Sequence, residues 1–187
     1  KAIRRQRQMC IRDRSRVLTP CENLVYKVMR VNRDEQMNWK QYTVSVLIFS
    51  GIGLVFLFLL QILQGVLPGN PQGLPGVKWD LSFNTASSFV TNTNWQAYSG
   101  ESTLSYLSQS LGLTVQNFVS AATGIAVLFA LIRGFIQVKT SGLGSFWVDM
   151  TRIIIHILIP LNLVISLLLV GGGVIQNLKG AETVSLL

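Results

Sequence analysis

"SFNTASSFVTNTNWQAYSGE", residues Ser82–Glu101, lies between two long apolar stretches and carries one formal charge, at Glu101. Its two halves read differently. With Asp80 and Leu81 ahead of it, "DLSFNTASSFV" (80–90) sets Leu81, Phe83, Ala86, Phe89 and Val90 among small polar residues that include Asn84. Asp80 suits the N-cap of a short, moderately apolar helix. Such a helix is too short to cross a bilayer, which takes about 20 residues. The second half, "TNTNWQAYSGE" (91–101), has no apolar period and alternates Thr91, Asn92, Thr93 and Asn94 before Trp95 and Gln96.

The flanks decide the class. Of 187 residues, 49% are hydrophobic and only 13% charged, about half the charge fraction of a soluble domain. Thr43–Leu67, "TVSVLIFSGIGLVFLFLLQILQGVL", contains no charged residue. Trp39, Lys40 and Tyr42 precede it as interface anchors do, and Pro68, Gly69, Pro71, Gly73, Pro75 and Gly76 end it. Leu111–Ile132, inside a helix expected over 111–138, is rich in small residues. Its pairs Ser120/Gly124 and Ala126/Ala130 let helix backbones approach in lipid. Ile153–Ile175 is the third stretch, with a kink expected at Pro160. Three uncharged runs of this length predict an all-α membrane protein. A Gly51-x-Gly53 pair lies inside the first run and reads as packing.

Charge sets the expected orientation. Residues 1–16, "KAIRRQRQMCIRDRSR", hold seven Lys/Arg against one Asp, and the rest of the chain nearly balances. This leader shows no amphipathic period and no aromatic interleaving, so nucleic acid is not expected as a partner, and no apolar h-region makes it a signal peptide. The segments 17–42 and 139–152, with Arg133 at the edge of the latter, are basic, whereas 68–110 holds only Lys78. The positive-inside rule places the first two in the cytoplasm and the loop 68–110 outside. The span 153–175 then returns the chain outward to 176–187.

A helix that dips in from outside, followed by an extended polar segment, is the layout of a pore loop. The helix C-terminus presents partial negative charge, which favours a cation. Backbone carbonyls after it can replace an ion's water shell. Thr91–Gln96 has no carboxylate, which suits a monovalent ion better than a divalent one. A plain polar loop carrying a surface helix fits the same periodicity.

The wording of the sequence goes further. "FVTNTNWQAYSGESTLSYLSQSLGLTVQNFVSAATGIAVLFALIRG", "MNWKQY" (37–42), "LPGNPQGLPGVKWDLSFNTA" and "LGSFWVDMTRI" (143–153) resemble the potassium-binding A subunit family of the bacterial Kdp potassium-transporting ATPase. The likeness covers roughly Leu18 onward. It implies the potassium-channel and potassium-transporter superfamily fold, with four helix–pore loop–helix repeats in one chain. The first repeat would be 43–67, the pore loop 68–110 and 111–138, with 153–175 the first helix of the second. The resemblance further implies a potassium filter at Thr91, Asn92, Thr93 and Asn94, with Gln96 just behind. Backbone oxygens of Asn92 and Thr93 would line the path, and Asp80, Asn84, Phe89 and Val90 would belong to the pore helix. It implies no catalytic site and no organic cofactor in this chain. ATP would be hydrolysed by a P-type ATPase B subunit, joined by C and F subunits in the bacterial inner membrane. Residues 1–16 stand where the family has a further helix and read as a foreign leader, "RQMCIRDR" resembling a translated adapter. Three more pore loops are expected beyond Leu187. A single pore loop per chain also suits an autonomous homotetrameric cation channel.

Other polar residues invite local readings. His156 inside an apolar run is expected to be neutral and bonded to a neighbouring helix, and Gln61 and Asn162 to act as interhelical glue. Glu101 suits a helix cap or a cation-attracting mouth. Cys10 and Cys21 make no disulfide framework and, with His156, no metal set.

Overall fold

A reciprocal pair of side-chain bonds opens the first long helix in the computed structural model of the chain, which describes residues 18–136 and 142–174. The Asn38 amide N–H donates to Gln41 Oε1 at 3.0 Å, and the Gln41 N–H donates to Asn38 Oδ1 at 2.9 Å. This is a capping box, with Asn at the cap and Gln three residues on. The helix therefore starts at Trp39, ahead of the uncharged run that begins at Thr43.

Every element among the described residues is helical. In chain order they are α1 (Leu18–Met29), α2 (Trp39–Ile62), α3 (Trp79–Val90), α4 (Gly100–Thr103), a π-helical stretch Ser108–Thr114, α5 (Val115–Ile136), α6 (Phe146–Ile153), a second π stretch Ile154–Leu158, and α7 (Ile159–Gly171). Three continuous helices, Trp39–Ile62, Ser108–Ile136 and Phe146–Gly171, are long and apolar enough to cross a membrane. The leader 1–16, Lys139 and the segment 176–187 lie outside the described residues.

The third helix begins at Phe146, where hydropathy alone suggests Ile153. Its polar first turns are admitted because their charges are paired, Asp149 with Arg133 and Arg152 with Glu22. The kink expected at Pro160 takes the form of the π stretch just before it. Pro160 offers no N–H to the carbonyl of His156, and wider bonds close that turn.

The chain divides into two compact units, Lys1–Thr43 with Gly124–Leu168, and Val44–Thr123 with Leu169–Leu187. In the first, the Met37 N–H donates to the Gly144 carbonyl and the Leu143 N–H to the Met37 carbonyl, each at 2.9 Å. Two buried carboxylates organise it. Asp149 accepts both guanidinium nitrogens of Arg133, at 2.6 and 2.7 Å, and the Tyr42 hydroxyl at 3.2 Å. Tyr42 is thus a buried donor and not an exposed interface anchor. Arg133, expected only to mark the membrane edge, also donates to the Leu143 carbonyl. Glu22, 1% exposed, takes Arg33 at 3.3 Å, Arg152 at 3.1 Å, His156 at 3.4 Å and the Tyr26 hydroxyl at 3.3 Å. The neighbour of His156 is therefore a carboxylate on α1.

In the second unit Leu57, Val77, Ala86, Phe89, Leu104 and Leu113 form the core, with Phe58, Leu81 and Tyr98 packed on it. Close approach of the helices depends on Gly112, where a Cβ would sit under 3 Å from Leu57 and Leu60 side-chain carbons. At Gly76 a Cβ would collide with the Ile62 carbonyl oxygen. Gln61, expected to bond another helix, donates to the Leu57 carbonyl of its own helix.

Candidate functional site

The loop between α2 and the Ser108–Ile136 helix is stitched by amide side chains. Gln64 is fully buried. Its Nε2 donates to the carbonyls of Pro75 (2.7 Å) and Thr103 (2.8 Å). Its Oε1 accepts from the Ser105 N–H and the Ser108 hydroxyl, both at 3.1 Å. All four hydrogen-bonding positions of the amide are used. Asn70 closes the preceding turn by bonding the Leu74 backbone in both directions, and Gln109 donates to the carbonyls of Gly100 and Leu104. Sequence reading leaves Gln64 inside the apolar run Thr43–Leu67 and gives it no role. The signal available is an amide three residues before the Pro/Gly-rich turn that starts at Leu67–Pro68.

α3 starts one residue before Asp80, so Asp80 is not its N-cap, which is Lys78. Asp80 lies in the first turn, where its carboxylate suits the positive end of the helix dipole, and its Oδ1 accepts the Leu81 N–H at 2.9 Å. Asn84 is exposed, Phe89 is buried in the core and Val90 is the last helical residue.

After Val90 the chain does not run out as an extended strand. Asn92 and Asn94 both have φ near +58°, the left-handed region. The Thr93 N–H donates to the Ser88 carbonyl at 2.9 Å and the Asn92 N–H to the Phe89 carbonyl at 3.3 Å. Those two bonds, with a left-handed residue between helix and loop, make a Schellman stop, and Asn is the residue after Gly that tolerates it best. The Thr91 and Asn94 N–H groups also turn back, to the Ser87 and Ser88 carbonyls, and the Trp95 N–H donates to Ser88 Oγ at 2.7 Å. Even the Thr91 hydroxyl reaches back to the Ser87 carbonyl and lies 2.9 Å from that of Thr93.

The result is one-sided. The N–H groups of Thr91–Trp95 are all consumed on the C-terminal turn of α3. Among the described residues, no hydrogen bond ends on the carbonyl oxygens of Thr91, Asn92, Thr93 or Asn94. Residues 91–96 are exposed, so those oxygens stand where a cation could take them as ligands. Gln96 belongs to the same exposed run. No group of three His, Cys, Asp or Glu suited to a metal ion occurs among the described residues. The oxygens on offer are neutral.

Beyond the segment, Ser99 donates to Glu101 Oε2 at 2.6 Å, and that bond holds the exposed Glu101 carboxyl below its ordinary range. Burial pushes the Tyr98 phenol up where it packs on the core. From α5, the Ser120 hydroxyl reaches Asn92 Oδ1 at 3.2 Å.

The model of the family described as potassium-transporting ATPase A subunit matches residues 3–187, beginning inside the stretch set apart as a leader. A potassium-transporting ATPase potassium-binding subunit of Clostridium botulinum (strain Eklund 17B / Type B) is 64% identical over 173 residues, 92% of this chain and 30% of that protein. The corresponding subunit of Clostridium perfringens is 63% identical over 173 residues, and that of Geobacter metallireducens 58% over 172. The chain spans about three tenths of the length of these curated relatives. With an all-helical fold and three helices able to cross a membrane, the chain belongs to the potassium-transporting ATPase A subunit family.

Proposed function

We propose that this chain carries the first pore repeat of a subunit that captures potassium from the extracytoplasmic side for an ATP-driven import complex of the bacterial inner membrane. The observation that carries the reading is the one-sided use of the backbone at Thr91–Asn94. N–H groups are spent on α3, and among the described residues the carbonyl oxygens take no donor. A row of neutral carbonyls at the negative end of a short helix favours a desolvated monovalent cation. Asn92 and Thr93 supply the inner oxygens, Thr91 and Asn94 flank them, and Gln96 stands behind. Helices Trp39–Ile62 and Ser108–Ile136 bracket the loop as the outer and inner helices of the repeat. The relatives' names give the ion and the complex. Hydrolysis of ATP belongs to a separate P-type ATPase B subunit, with C and F subunits completing the assembly.

Replacing Gln96 by Arg tests the placement. A fixed cation near the path opposes a potassium ion by about 1–2 kcal/mol at an effective dielectric of ~20, roughly a ten-fold weakening. In the reconstituted complex with the complete subunit, potassium-stimulated ATPase activity should show a half-saturating potassium concentration raised by about that factor. An unchanged half-saturation point would place Gln96 away from the ion path.

A further inference from the structure

We propose that Ser120 is a positioning residue for cation capture, its hydroxyl on α5 acting as the hook that holds Asn92 in its left-handed conformation. The inference rests on the reading of Thr91–Asn94 as the coordinating segment. Sequence periodicity assigns Ser120 only a packing role, as half of a small-residue pair with Gly124. The structure separates the two. Gly124 is exposed, and a Cβ there would meet nothing within 4 Å. Ser120 is 6% exposed and has two acceptors for its one proton, Asn92 Oδ1 at 3.2 Å and the Asn117 carbonyl of its own helix at 3.1 Å.

The bond to Asn92 spans 28 residues of chain. All the backbone hydrogen bonds of Thr91–Asn94 run to α3, and among the described residues Ser120 is the sole group from α5 that bonds to a residue of this segment. Its effect on Asn92 is directional. An amide whose oxygen faces the Ser120 hydroxyl turns its NH2 group away. The side chain is then spent on the helix, and Asn92 has its backbone carbonyl to offer the ion. A non-glycine residue at φ +58° also benefits from a side-chain tether, because the left-handed region is costly for residues with a Cβ. If Ser120 turns its proton to Asn117 instead, the tether is released without breaking any backbone bond. Two further polar side chains, Gln116 and Asn117, precede it on the same helix, and Asn117 Oδ1 is buried with no hydrogen-bond partner. This stretch of α5 therefore carries polar groups where an inert membrane helix would carry apolar ones.

The test uses the complete subunit in its assembled complex and reads half-saturating potassium, maximal ATPase rate and the potassium-to-rubidium preference. Ser120→Ala should raise half-saturating potassium about five-fold, the factor of one ordinary hydrogen bond, with the maximal rate kept. Ser120→Thr, which retains the hydroxyl, should restore it, and Ser120→Cys, a weak donor of similar size, should fall between. Asn92→Gly keeps the left-handed backbone and deletes the acceptor. It should reproduce the shift, and adding Ser120→Ala to it should change nothing further. If Asn92→Gly shifts potassium binding while Ser120→Ala does not, or the two effects add, the hook is wrong and the coordinating segment stands. A Ser120→Ala complex with a lower maximal rate at unchanged half-saturation and ion preference reduces Ser120 to packing. Should Asn92→Gly and Gln96→Arg both leave half-saturation untouched, the reading of the segment itself falls.

Discussion

Asn92 serves two ends with one conformation. As the left-handed residue after α3 it stops the helix, and the same turn leaves its carbonyl and those of its neighbours without donors among the described residues. The Thr-Asn alternation was legible as a neutral oxygen-rich stretch. Its conformation was not, because an extended strand and a Schellman stop are written with the same residues, and hydrogen bonds to Ser87, Ser88 and Phe89 choose between them. Charged residues were harder still. Nothing in local sequence ties Glu22 to Arg152 or Asp149 to Arg133, which lie 130 and 16 positions apart. One consequence is open to titration. Burial first, and then the Glu22 carboxylate, pushes the Tyr26 phenol from its ordinary 10.0 up to about 12. The folded chain therefore holds this proton more tightly than the unfolded one. The stabilisation is complete below pH ~10 and is lost as pH rises through about 12. Difference absorbance of the tyrosinate band between the wild-type complex and Tyr26→Phe should show a transition centred near pH 12. A difference centred near the free phenol value of about 10 would refute the burial argument.

Elements were the most legible level. Three uncharged runs announced three long helices, and the Pro/Gly cluster and the short α3 were both visible in advance. Their ends were displaced where side chains, not hydropathy, set them. The Asn38/Gln41 capping box draws α2 forward to Trp39, and the pairing of Asp149 and Arg152 admits polar turns from Phe146. The π stretches had no sequence signature beyond Pro160 for the second of them. Within the loop, Gln64 holds the approach to α3 and the return to α5 on one amide. Gln64→Leu fills the same volume but strands the Ser105 N–H and the Pro75 and Thr103 carbonyls. At about 1–3 kcal/mol for each buried group left unpaired, the loss should reach about 3 kcal/mol or more. Thermal denaturation of the complex, followed by loss of potassium-stimulated activity, should show a midpoint lowered by several degrees. A variant as heat-resistant as the wild type would mean the loop is held elsewhere.

At the scale of the whole molecule, composition announced a membrane protein and the wording of the stretch around Thr91–Gln96 announced the family. Physical reasoning alone left a plain loop and a pore loop in balance. The 64% identity to a relative over most of the chain carries the family, and the backbone geometry at Thr91–Asn94 supports the proposed pore-loop reading. The chain accounts for 30% of that relative's length. Thallium(I) substitutes for potassium and scatters anomalously, which makes the central claim directly visible in crystals of the complex containing the complete subunit. An anomalous peak is expected in contact with the carbonyl oxygens of Asn92 and Thr93, abolished by excess potassium. Thallium bound in the complex with no peak against Thr91–Asn94 would contradict it.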